Sequence, residues 1–145
     1  MITQAKFFNA TKESVVCIIN GTPVVGHAKA MAHYAMGDYE SGNDAMKAAS
    51  RTVGVITGGT MGMAIGGPTL AVAGGIAGGA AVDAITTKVE SSSANEYRPN
   101  GVFYLKERIE KGEASAAEIF DAATGIAMDG AAGYVAGKNS KVAKA

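Results

Sequence analysis

Gly54, Gly58, Gly62 and Gly66 recur at every fourth position, and no other feature constrains this chain so strongly. On a helix, residues four apart form one nearly straight row, so these glycines leave a groove bare of side chains into which a second helix can fit. Beyond Pro68 the row Ala71, Gly75 and Gly79 repeats the device, with Gly74 and Gly78 beside it. Between the two rows, Pro68 can donate no helical hydrogen bond and pushes its predecessor out of helical conformation, so Gly66-Gly67-Pro68 is expected to be a turn. Residues Val53 to Val82, which hold ten of the twenty glycines, therefore read as two short helices back to back, a glycine-zipper hairpin.

Four helical glycines oppose helix formation by roughly 4 kcal/mol relative to alanine. Close backbone approach offers the compensation, through dispersion and Cα–H···O contacts of about 0.5–1 kcal/mol each. The intervening residues Val53, Val55, Ile56, Met61, Met63, Ile65, Leu70, Val72 and Ile76 are apolar, whereas flexible linkers are polar and serine-rich. The glycines are thus a packing device.

A chain of 145 residues suits one domain with a single core. Thirteen basic residues balance thirteen acidic ones, tryptophan is absent, and no basic face interleaved with aromatics points to nucleic acid. Cys17 is alone, which fits a reducing compartment and leaves only a disulfide between chains. The first residues lack the organisation of a signal peptide, so the expected location is cytoplasmic, with an extracellular one still open.

Residues Thr52 to Val82 carry no charge, and this run exceeds the ~20 residues of a spanning helix. Pro68 divides it, however, and the chain has only two leucines, Leu70 and Leu105. A buried hairpin is favoured, with membrane insertion as the alternative.

In chain order, residues 1–22 form an arm, either an amphipathic helix over 3–20 or a strand through Ser14–Ile19. Thr22 caps and Pro23 starts a helix that runs to about Met36 and stops at Gly37-Asp38. After a loop to Gly42, Asn43 or Asp44 caps a helix leading into the first glycine row, and the hairpin spans 43–90. Residues 91–101 read as a linker. Val102 to Lys111 form a short charged helix ended by Gly112. Ser115 and Glu118 have capping-box spacing and start a last small-residue helix over 115–137, with Ala123, Ala127, Gly130, Gly133 and Gly137 packing on the hairpin. A basic tail covers 138–145. The fold class is all-α, a compact domain of about five to six helices.

The run Gly26-His27-x-Lys29, His33-Tyr34-x-x-Gly37-Asp38, Gly42-x-x-Ala45-Met46-Lys47, Arg51-Thr52-x-Gly54-Val55 and Gly66-Gly67-Pro68 continues into Ala73-Gly74-Gly75-Ile76-Ala77-Gly78-Gly79-Ala80-Ala81-x-Asp83. It resembles a domain of unknown function found in animal proteins, from about Asn20 to Gly137, including Phe120-Asp121 and Asp129-Gly130. The resemblance implies an all-helical glycine-zipper domain and supplies no catalytic residues.

His27 and His33 lie about 600° apart around a helix and share no face, so no metal pair is expected. Asp83, Asp121 and Asp129 sit among small apolar residues and are expected to be buried. Asp83 and Asp129 would pair with Arg51, Lys88 or His33, or accept backbone hydrogen bonds that fix helix register. No nucleophile, histidine partner or phosphate loop accompanies them, and no cofactor or small-molecule substrate is evident. An enzyme is therefore disfavoured. The composition points to a structural protein that self-associates into a homo-oligomer or filament, because small-residue helix faces pack equally well within and between subunits. A membrane-active or pore-forming protein using the hairpin is the alternative.

Overall fold

The structure is a computed structural model that describes residues 21–142, with side chains described as far as Ser140. The N-terminal helix-or-strand alternative and Cys17 lie outside the described residues. Among those described, every regular element is helical: α1 (Pro23–Ala35), α2 (Tyr39–Ala94), α3 (Val102–Glu110) and α4 (Ala116–Val142). That makes four helices where the sequence predicts five to six. Two of the predicted helices are the legs of α2, joined with no loop beyond Gly66 (φ −143°, ψ 18°) and Gly67 (φ 75°, ψ −155°). Gly67 adopts a backbone conformation that residues with a β-carbon rarely reach, and Pro68 restarts the helix after it.

The chain divides into two compact units between Thr52 and Val53. In the first unit, α1 begins with Pro23 in its first turn, but Thr22 makes no capping hydrogen bond through its side chain. Its C-terminal end closes at Gly37, where φ is +79°. Asp38 then caps α2 directly: its Oδ1 accepts the Ser41 N–H at 3.1 Å, and its Oδ2 meets His33 Nδ1 at 2.9 Å. The helix therefore starts at Tyr39 rather than at the predicted Asn43 or Asp44. Gly42 serves packing instead of a loop, since a β-carbon there would meet the Tyr34 ring at 2.5 Å. The Tyr34 hydroxyl donates to Asn43 Oδ1 at 2.9 Å, and the fully buried side chains Ala30, Ala45 and Ala49 form the small-residue core.

In the second unit, α2 runs on through Ser91–Ser93 to Ala94, so the predicted linker shortens to a return segment over 95–101. Asn95, at φ +53°, turns the chain out of the helix. α4 begins with the predicted capping box. Glu118 donates its N–H to Ser115 Oγ at 3.2 Å, and Glu118 Oε2 accepts the Ser115 N–H at 2.7 Å. The helix passes Gly137 and reaches Val142, so the first residues of the predicted tail are helical. Ser140 eases the exit by donating its hydroxyl to the Gly137 carbonyl at 2.8 Å.

Candidate functional site

The centre of the second unit is built from backbone. Gly54 faces Gly78, Gly58 faces Gly74, and Gly62 faces Leu70, an antiparallel register that turns on Gly66. A β-carbon on Gly54 would lie 2.6 Å from the Gly78 carbonyl oxygen, and β-carbons on Gly58 or Gly62 would fall inside the opposite backbone. Gly66 closes the row against the Leu70 side chain. Gly54, Gly58, Gly62 and Gly66 thus each lie within close reach of residues Leu70 to Val82.

The second row has a different partner. Gly74 and Gly78 face the first leg, whereas Ala71 and Gly75 face α4. A β-carbon on Gly75 would lie 2.8 Å from Gly133 Cα and 2.5 Å from the Asp129 carbonyl oxygen; one on Gly133 would lie 2.8 Å from the Ala71 carbonyl oxygen. Gly59 joins the same point from the first leg, so Gly59, Gly75 and Gly133 meet with no side chain between the three helices. One turn on, a β-carbon at Gly137 would meet Met63 Cβ at 2.6 Å. Gly79 is buried. Glycine at such a junction costs helix propensity and returns close dispersion contact, the trade that small-residue helix interfaces make.

Large apolar side chains lie mostly outside this centre. Val55 and Met63 are buried, but Met61, Ile65, Ile85, Val89, Phe120 and Met128 are exposed, Ile65 by 78% and Met128 by 66%. Small residues thus fill the interior, and many large ones face outward.

Polar chemistry concentrates where the second leg ends. Asp83, Thr87 and Ser91 stand four residues apart on one face of α2. Each accepts a backbone N–H from the returning segment: Asp83 Oδ2 from Val102 at 3.2 Å, Thr87 Oγ1 from Asn100 at 2.9 Å, and Ser91 Oγ from Arg98 at 2.9 Å. Four helical residues rise about 6 Å and two extended residues span about 6.6 Å, so the two periods stay in step. The three acceptors act as a ladder that satisfies backbone N–H groups of Arg98, Asn100 and Val102 and docks the segment on the helix. Gly101 sits against the Asp83 carboxylate at φ +55°, where a β-carbon would be both strained and in collision. This arrangement was readable only as polar residues at four-residue spacing on an apolar helix, a signal that the glycine pattern overshadows.

Of the predicted buried polar residues, Asp83 is 2% exposed and Asp129 8%. Asp121 is exposed, a correction: it lies near the start of α4, before that helix meets α2 at Asp129, Gly130 and Gly133. His33 and Arg51 are half-buried, and His33 pairs with Asp38. His27 approaches Ser50 Oγ at 3.4 Å and the Pro23 carbonyl. No group of three or more histidine, cysteine or acidic side chains placed to hold a metal occurs among the described residues.

At the α3–α4 corner, Arg108 binds Glu118 and Glu113, each at 3.2 Å. The Glu118 carboxyl lies below its ordinary range because it accepts hydrogen bonds from Ser115 backbone and side chain, with Arg108 adding to the effect. Asp38 is lowered likewise, by the Ser41 side chain and backbone first and then by His33.

Comparison with known proteins finds no matching family model, no matching curated protein and no matching solved structure.

Proposed function

We propose that the protein is a non-enzymatic structural protein, built on a glycine-zipper helical hairpin, that self-associates through the outward faces of its helices into a homo-oligomer or filament. One observation carries this reading: small residues occupy the interior while Met61, Ile65, Ile85, Val89, Phe120 and Met128 face out. Burying one such side chain stabilises by about 1.5–3 kcal/mol, so a surface bearing several of them favours a second copy over water. Closed contacts between copies give a ring or dimer, and head-to-tail contacts that do not close give a filament. To test this, Ile65→Glu and Met128→Glu are compared with wild type by light scattering. Dissociation of the variants with their helical content intact supports self-association, and an unchanged mass argues against it.

A membrane-active protein is the second reading, favoured by a specific observation. Among the described residues one helix, Tyr39–Ala94, is long and apolar enough to cross a membrane. Small residues at helix contacts with large apolar residues outside also suit lipid. Against it, each charge-free leg of about fifteen residues is about 22 Å long, whereas the hydrocarbon core is about 30 Å thick. Dye release from neutral or anionic liposomes, or new protection of Val53–Val82 from hydrogen exchange on vesicles, would move the assignment to the membrane. No response to either kind of vesicle removes it.

A further inference from the structure

The returning segment leaves an open cavity of about 360 Å3 against the end of α2, bounded by Ala84, Phe103 and Tyr97. Its volume falls at the lower end of the range that small-molecule sites occupy. The polar groups lining it are Thr87, Lys88, Ser91 and Ser92, and no carboxylate is among them. Thr87 Oγ1 and Ser91 Oγ already accept backbone N–H groups, from Asn100 and Arg98. A hydroxyl whose lone pair is so engaged keeps its own proton to give. The lining therefore offers hydroxyl protons from Thr87, Ser91, Ser92 and Tyr97 and, as its one charge, the Lys88 ammonium, beside walls that are mostly apolar.

We propose that this cavity binds a small organic anion, a carboxylate on a short apolar or aromatic body. The body lies between Phe103, Ala84 and the Tyr97 ring, and the carboxylate takes its hydrogen bonds from Lys88 and the hydroxyls. A mostly apolar lining whose one charge is the Lys88 ammonium selects the anion over an amine or a neutral amide. The same ladder that docks the returning segment thereby orients the hydroxyls, so binding tightens the segment from Asn95 to Val102.

The test uses the full chain and phenylacetate, with phenylacetamide as its uncharged counterpart, read by titration calorimetry and by hydrogen exchange, which work in any oligomeric state. Saturable binding of phenylacetate is expected, with added protection confined to the stretch from Thr87 to Phe103. Phenylacetamide and the variant Lys88→Glu should each weaken binding at least tenfold. Ser92→Trp, at an exposed position, and Ala84→Phe should block the cavity; the Ser92 variant keeps the test intact even where Ala84→Phe unfolds this end. Absence of saturable binding overturns the proposal. So does equal affinity for the amide or for Lys88→Glu, or protection that spreads along the exposed apolar residues of the legs.

Discussion

Gly58 and Gly74 face each other across the legs of α2 so closely that a β-carbon on either would strike the carbonyl of the other. Gly125, on α4, has nothing within 4 Å of the place its β-carbon would take. Replacing a helical glycine by alanine ordinarily stabilises by about 1 kcal/mol. Gly125→Ala should show that gain. Gly58→Ala and Gly74→Ala should reverse its sign, because overpacking costs about 1–3 kcal/mol. Thermal melts of the three variants check this ordering, and a stabilised Gly58→Ala would remove the close contact.

Leucine at these positions should be worse. Gly62→Leu drives a side chain into the backbone at Leu70 and Ala71, and Gly75→Leu drives one into Gly133. Both should cost well over the ~1–3 kcal/mol of ordinary overpacking. Met63→Leu and Ile76→Leu roughly conserve volume and should cost less than about 1.5 kcal/mol. Chemical denaturation of the four variants ranks them, and harmless glycine variants would contradict the packing.

Legibility followed the physics of each element. The break at Gly66-Gly67-Pro68 and the Ser115–Glu118 box were readable because each rests on a local backbone requirement. Which glycine row faces which helix was not, since Gly74-Gly75 and Gly78-Gly79 put bare positions on two adjacent faces and only the third helix assigns them. Gly42 looked like a loop residue because its partner, the Tyr34 ring, is brought to it by tertiary packing. Asp83 was expected to be buried, but its role required the position of Val102, which no spacing rule supplies.

The ladder at the end of α2 makes a separate prediction. Asp83→Leu leaves the part-buried Val102 N–H without its acceptor, and Thr87→Val does the same to Asn100, each at a cost of about 1–3 kcal/mol. Hydrogen exchange should show faster exchange of Asn100 and Val102 while Gly58 and Gly74 stay protected. Unchanged exchange across 95–102 would contradict the ladder.

Acid should destabilise the fold. Asp38 and Glu118 have carboxyls held below their ordinary range, so their contribution is present above about pH 4 and is lost as pH falls through the depressed folded values. Arg108 is raised through its hydrogen bond with Glu118, and Lys111 through its hydrogen bond with Glu107, so their contributions persist through neutral pH and fade only well above pH 10. Urea melts between pH 3 and pH 8 should show a plateau from about pH 5 upward and a fall below about pH 4. Glu118→Gln should shallow that fall, and stability that rises on acidification would contradict the assignment.

Self-association is tested most directly by sedimentation of the wild-type protein over a concentration series in detergent-free buffer. Outward-facing Ile65, Met128 and Phe120 predict a species larger than one chain that grows or persists as concentration rises. A strictly monomeric species at the highest concentration reached would contradict it.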